Sequence, residues 1–279
     1  VGSFWILGSR TRIRHSSEKN TTRLGTRRPQ YALNHLPSNL LSAAGFKHGF
    51  SLAPYDAKQA SNQEDVRRLC ADLGIRFDDL RQVEQVHGSR VVFTRDLARS
   101  FEEKADAVIA TAGQAAGIRV ADCVPILVAS LASGNVAAIH AGWPGLVAGV
   151  IRTSLSALRK CGRSPDGEDS DAGLIAAIGP HIGPCCFEVG DDVAKKIVAA
   201  VGSASVLAPP KNMVREGDSN EIKPHIDLGL AARLELERMG VRLIEDVAGC
   251  TKCGGSAFHS YRGQGEKAGR HLAIIAARS

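Results

Sequence analysis

From about Tyr31 onward, short runs rich in Val, Ile and Ala alternate with stretches whose apolar residues recur at helical spacing. The runs 90–94, Ala107–Ala110, 117–120, 125–129 and 136–140 are separated by turns containing Gly, Ser and Asp, and they read as strands. Leu174–Ile178, 241–247 and His271–Ala276 complete the set. Residues 62–73 read as a helix: Asn62 offers a cap, Glu64 and Asp65 occupy the first turn, Val66, Leu69 and Leu73 share a face, and Gly74 stops it. Residues 145–160 carry Val147, Ile151, Leu155 and Leu158 along one face of a second helix. Two more helices are expected over 191–200 and 227–239, the latter with Leu230 and Leu234 four apart, and the polar stretch 162–172 is a surface loop. No period of about 20–50 residues repeats, and no linker divides the pattern. It therefore predicts one α+β domain over 31–279, a mixed β-sheet core of the mixed β-sandwich kind flanked by helices.

With 279 residues, 44% hydrophobic and 23% charged, the chain can bury a sizeable core. No run approaches the roughly 20 uninterrupted apolar residues a bilayer needs. Phe4-Trp5-Ile6-Leu7 is too short for a signal core, so a soluble protein without a membrane partner is expected. The net charge of +6 changes meaning once it is divided along the chain. Residues 1–30 hold seven basic groups against Glu18 alone, which leaves 28 basic and 28 acidic residues for 31–279. The body is formally neutral, and no nucleic-acid partner is expected. The head is rich in Arg, Ser and Thr and lacks apolar periodicity, so it is expected to be disordered. Translation assigned from too early a start codon, which a chain beginning with Val fits, an organellar presequence and a basic arm all suit it. Seven cysteines at irregular spacing do not describe a disulfide framework; a reducing cytoplasm leaves their thiolates available for metal or catalysis.

Three segments each put a metal-ligand type at the edge of an expected strand: 84–88 with His87, 120–125 with Cys123, and 139–143 with His140. One thiolate and two neutral imidazoles leave the fourth tetrahedral position open for water or substrate, the pattern of a catalytic rather than a structural zinc site. The ligands are 36 and 17 residues apart, far from finger-type spacing, and on the residues alone a small buried Cys and two hydrogen-bonded His fit as well.

The stretches EQVHGSRVV (84–92), IRVADCVPILVA (118–129), VAAIHAGWPGLVAGVI (136–151), IGPHIGPCCFEVG (178–190) and CTKCGGSAFHSYRGQGEKAGR (250–270) together resemble the laccase-domain family of bacterial polyphenol-oxidase-like proteins, regarded as purine nucleoside phosphorylases. The resemblance covers the chain from about Phe46 onward. It implies that His87, Cys123 and His140 bind a catalytic metal, Zn2+ with Cu2+ as the alternative. It further implies a cytoplasmic enzyme, monomer or homodimer, that splits adenosine, inosine and methylthioadenosine with phosphate and also deaminates adenosine. Phosphorolysis needs an anion site beside the metal, for which Arg119 and Arg262 are candidates against the reading of each as a solvated surface charge. Asp122 is a candidate catalytic residue, orienting a ligating His or accepting a proton; a turn-forming Asp is the other reading. Gly142 and Gly145 flank a strand-to-helix turn that presents N–H groups to an anion, or else they serve packing.

Cys250 and Cys253, with His259 nearby, suggest redox chemistry or a second metal, but a structural zinc needs four ligands and only these two cysteines are close in sequence. Packing is therefore the expectation for them, and burial for Cys185 and Cys186. The chain also departs from the family pattern. Pro144 stands where a basic residue follows HAGW, Ala232 replaces an Asn, and residues 51–65 lack a longer Gly-rich loop. The first bears on phosphate binding, the others on the shape of the pocket. Copper-dependent phenol oxidation needs on the order of ten His ligands for several coppers, and the chain has nine His in all. A peptidoglycan-precursor editing hydrolase is the remaining alternative.

Overall fold

The computed structural model describes residues 34–58, 63–98, 100–161, 173–202, 206–207, 223–247 and 249–278. The expectations for residues 1–30, for Asn62 as a cap and for the loop 162–172 lie outside them. The apolar runs form two mixed sheets. One has six strands in the spatial order Leu243–Asp246, Leu174–Ile178, Val124–Ser130, Val136–Ala141, Ala107–Ala110 and Val91–Phe93. Its centre is antiparallel and both outermost pairs are parallel. The other runs His35–Leu36, His48–Ser51, His271–Ala276, Ala115–Val120 and Leu80–Arg81.

The period of two along each strand divides its side chains between two cores. Val136 and Ala138 enter a layer between the sheets, where they meet Phe50, Ile118 and Ile275 of the five-stranded sheet. Ala137 and Ile139 point the other way, into a core shared with helices Val150–Cys161, Asp191–Val201 and Leu228–Arg238. The far face of the five-stranded sheet is covered by helix Gln63–Asp72, whose Val66, Leu69 and Cys70 pack on Ala115, Leu272 and Ile274. A sandwich with helices on both outer faces follows, and it meets the sequence expectation.

Several boundaries differ for identifiable reasons. The helix expected over 145–160 is two helices, Trp143–Val147 and Val150–Cys161, because Gly149 takes φ +83° between them. The strand expected over 241–247 is Leu243–Asp246, an edge strand with Leu243 exposed. His35–Leu36, His48–Ser51 and Leu80–Arg81 span only two to four residues each, too short for periodicity to reveal. Helix Leu228–Arg238 begins where Asp227 Oδ1 accepts the Leu230 N–H at 2.8 Å. Ala232 is buried on this helix within the helical core, so the expectation that it reshapes a pocket gives way to a packing role.

Two buried histidines of the five-stranded sheet are held as acceptors. His48 Nε2 accepts the Ser38 N–H at 2.8 Å, and His271 Nε2 accepts the His259 N–H at 2.6 Å. Burial lowers the pKa of both, that of His271 to about 3 from the usual 6.5, with His259 adding repulsion. In the unfolded chain each imidazole takes a proton near its usual value, so the folded state loses stability as pH falls from about 6.5 toward 3. Urea unfolding is expected to show a lower midpoint at pH 5 than at pH 7, and H271Q a shallower dependence. An equally steep decline in H271Q would remove His271 from the account.

Candidate metal centre

Strand register brings the candidate ligands together. Val124–Ser130 and Val136–Ala141 are antiparallel neighbours with Val124 opposite Ala141 and Pro125 opposite His140, so Cys123, one residue before its strand, lies at the same sheet end as His140. His87 arrives from the loop before Val91–Phe93. Its Nε2 is 3.7 Å from Cys123 Sγ, and its ring meets that of His140 edge-on with centroids 4.7 Å apart. One donor atom from each of His87, Cys123 and His140 lies within 4.8 Å of the others, so the group could hold a metal ion.

The residue that organises this group is Asp106, which sequence reasoning missed. It is wholly buried at the head of Ala107–Ala110, and its carboxylate accepts the N–H groups of His87 at 2.8 Å and Gly88 at 2.6 Å, with Val86 N–H at 3.3 Å. His140 Nδ1 lies 2.8 Å from Asp106 Oδ1. A carboxylate accepts only, so Nδ1 carries the proton and donates, which leaves Nε2 to face the thiol and a ligand. The signal available in sequence was one acid beginning an otherwise apolar run.

Electrostatics follow this geometry. Burial opposes charge on Asp106, yet the hydrogen bonds from His140, Gly88 and His87 hold its pKa below the usual value. Burial also opposes charge on Cys123 and His140. Contacts with the two imidazoles nevertheless lower the thiol to about 6, and Asp106 and Cys123 raise His140 to about 9. A thiolate is thus favoured before any ion arrives.

Two non-glycine residues at the site occupy the left-handed region, His87 at φ +60° and Asp122 at φ +84°, conformations that cost about 1–3 kcal/mol unless the surroundings enforce them. Asp106 enforces the first. The Asp122 carboxylate accepts the Thr251 hydroxyl at 2.6 Å and the Arg262 N–H at 2.6 Å. The expectation that Asp122 orients a ligating histidine is therefore corrected: Asp106 does this, while the Asp122 carboxylate is engaged by two loops.

The glycines serve close approach. A Cβ on Gly142 would stand 2.7 Å from His87 Cδ2 and 3.1 Å from Cys123 Sγ, and one on Gly145 would stand 2.8 Å from Gly88 O. The helix they open has five residues, and packing replaces the anion-binding expectation for this turn. Pro144 occupies the second helical position, where a missing N–H costs nothing.

A cavity of about 550 Å³ opens over the three ligands. Arg119 and Arg262, both anticipated, line it together with Lys58 and Arg270, which were not. Arg119 stacks on Phe101 at 4.4 Å, and Arg262 Nη1 donates to Glu188 O at 2.9 Å. Phe187, Tyr261 and Ile182 form apolar wall, and Pro144 is not among the lining residues. The four cysteines 185, 186, 250 and 253 also converge: one sulfur from each lies within 4.8 Å of the others, and the first three are half-buried, the last exposed. Two earlier expectations are corrected here. Cys185 and Cys186 are not buried, and Cys250 and Cys253 have thiol neighbours that sequence separation concealed.

Residues 44–278 match the family model described as multi-copper polyphenol oxidoreductase laccase. The chain belongs to this family. A purine nucleoside phosphorylase of Deinococcus radiodurans is 34% identical over 236 residues, covering 81% of this chain and 85% of the relative. Adenosine deaminase RL5, from an unknown prokaryotic organism, is 31% identical and covers 80% of this chain and 84% of the relative. Among solved structures, YlmD of Geobacillus stearothermophilus superposes with a TM-score of 0.71 at 25% identity, over 90% of this chain and 98% of that one. The Neisseria meningitidis protein NMB0706 does so with a TM-score of 0.72 at 24% identity, over 88% of this chain and 100% of its own, and supports the fold. Family membership implies a metal-binding site and an enzyme. Among the described residues, no helix is long and apolar enough to cross a membrane.

Replacing Asp106 by Asn removes the charge that holds His140 and the His87 turn. D106N is expected to weaken divalent-ion binding by about 10–100-fold with the fold retained. Chelator competition measures the affinity and circular dichroism the fold; unchanged affinity would relieve Asp106 of this role.

Proposed function

We propose that the protein is a metal-dependent purine nucleoside phosphorylase acting on adenosine, inosine and S-methyl-5′-thioadenosine, with adenosine deaminase activity. The observation that carries this reading is the meeting, in one cavity, of the His87, Cys123 and His140 donors with four basic side chains. The names of the relatives support both reactions. The donor set, one thiolate and two imidazoles, suits Zn2+ and also admits Cu2+, and three protein ligands leave a tetrahedral ion one open position. When bound, such an ion supplies Lewis acidity beside the substrate.

The chain's own side chains do the rest. Arg119, Arg262, Arg270 and Lys58 neutralise and orient phosphate, while Phe187 and Tyr261 offer aromatic faces to a purine. In phosphorolysis a phosphate oxygen bonds to ribose C1′ as the C1′–N9 bond breaks. The electron pair leaves on the purine, which takes up a proton. In deamination water adds at C6 and ammonia departs. The cavity volume lies within the range usual for small-molecule sites. Basic residues elsewhere on the wall offset the absence of one at Pro144. Asp122 contributes by holding the Arg262 backbone.

Copper-dependent phenol oxidation fits less well. Among the described residues the metal-capable groups are this triad and the four cysteines, and neither is the His-rich array that several coppers require.

Purified protein incubated with adenosine, with and without phosphate, is expected to form adenine and ribose 1-phosphate only when phosphate is present, and inosine in both cases. Inosine alone would reduce the reading to a deaminase, and neither product would favour the editing hydrolase. His140→Ala is expected to lower both rates at least about 100-fold, and a chelator to do the same. In R119Q, losing one charge-assisted contact worth about 1.5–3 kcal/mol should raise the phosphate KM about tenfold or more. Deamination, which takes no phosphate, should fall by less; equal losses in the two reactions would take Arg119 out of the anion site.

A further inference from the structure

The four cysteines form a second group distinct from the triad, on two chain segments, with Cys185 and Cys253 68 residues apart. Cys185 and Cys186 occupy a turn in which the N–H groups of Cys186 and Phe187 both reach Gly183 O at 3.0 Å. Cys250 and Cys253 occupy a second turn, closed by Gly254 N–H to Cys250 O at 2.9 Å. A parallel bridge between His181 and Cys250 ties the two turns, with Thr251 N–H donating to His181 O at 2.9 Å. Gly183 permits the approach, since a Cβ there would stand 3.1 Å from Cys250 Cβ.

The sulfurs are spaced for an ion. Cys253 Sγ lies 3.5 Å from Cys185 Sγ and 3.3 Å from Cys186 Sγ, and the whole set falls within 4.8 Å. A tetrahedral zinc with bonds of about 2.3 Å sets its sulfurs about 3.8 Å apart. A disulfide needs about 2.05 Å, and all four thiols are free. Packing accounts for them only in part: Cys186 and Cys250 touch the helical core, but three of the four are half-buried and Cys253 is exposed, whereas cysteines used as small hydrophobes are among the most buried of residues.

We infer that Cys185, Cys186, Cys250 and Cys253 bind one zinc-type ion in a closed four-thiolate site, separate from the triad. The site is structural, because all four positions are filled from the chain and none is open to substrate. What it holds is the wall of the cavity. The first turn leads into Phe187, which lines the cavity, and Glu188, whose carbonyl receives Arg262; the second carries Thr251, whose hydroxyl holds Asp122 beside Cys123. The ion staples these two segments where short hydrogen bonds alone would join them.

Metal content of protein purified under reducing conditions tests this independently of activity. Wild type is expected to carry two zinc ions per chain by elemental analysis, the His87→Ala/His140→Ala variant one, and Cys185→Ser/Cys253→Ser one. The cysteine variant should also melt at a lower temperature and show a raised adenosine KM. Should it fail to fold, cobalt loading of the histidine variant decides: intense thiolate-to-cobalt charge-transfer and tetrahedral d–d bands are expected. A folded histidine variant without metal overturns the inference, as does a cysteine variant with the wild-type complement. Intact masses of metal-free wild type lacking two hydrogens per bridge would replace the site with disulfide chemistry.

Discussion

The centre depends on a single buried carboxylate. Asp106 has no exposure, and an ionised carboxylate without water is tolerated only if its lone pairs are occupied. The chain satisfies it with backbone N–H groups from residues 86–88 and the His140 ring. That requirement has structural consequences in two directions. To turn consecutive N–H groups toward one carboxylate, the backbone at His87 enters the left-handed region, which aims its imidazole across the sheet end. To donate Nδ1–H to Asp106, His140 turns its Nε2 toward Cys123. One charge thus positions two of the three donors, and removing it would leave both unsupported.

The remaining donor is fixed by sheet geometry. Cys123 precedes a central strand whose neighbours on both sides are paired, so the thiol has little freedom to retreat. The steric tolerance is small, because Gly142 already passes close to Cys123 and His87. On the other side Asp122 is pinned by Thr251 and Arg262. The candidate ligand side chains therefore sit between a rigid sheet end and two loops, and the preorganisation of the site is shared between them.

What was legible in the sequence followed from local pattern. The central strands showed as apolar runs, and His87, Cys123 and His140 were visible because each is a ligand type at the end of such a run. The supports were not visible, because they act between positions far apart in the chain. Asp106 reaches His140 across 34 residues, and Cys185 reaches Cys253 across 68. The division of the helix at Gly149 escaped notice for a different reason: Val147 and Ile151 keep helical spacing across a glycine whose backbone turns left-handed. Asp122 was noticed with both a catalytic and a turn-forming reading; its left-handed backbone fits the turn, and its carboxylate serves two loops rather than a histidine.

Charge is the sharpest case of a total that hides its distribution. Residues 31–279 are formally neutral, yet Lys58, Arg119, Arg262 and Arg270 converge on one cavity from three stretches of the chain. Like charges gathered in a partly desolvated place repel. Burial and the neighbouring Arg270 both push the Arg119 pKa down, and its Nε is buried without a hydrogen-bond partner among the described residues. Part of this cost is met by the Phe101 face under the guanidinium and by Gln85, whose side chain clamps the Arg119 backbone through bonds of 2.7 and 2.8 Å. Neither supplies negative charge; Glu84 does, without restoring the usual value. Under the function proposed above, phosphate entering this cluster would relieve that repulsion.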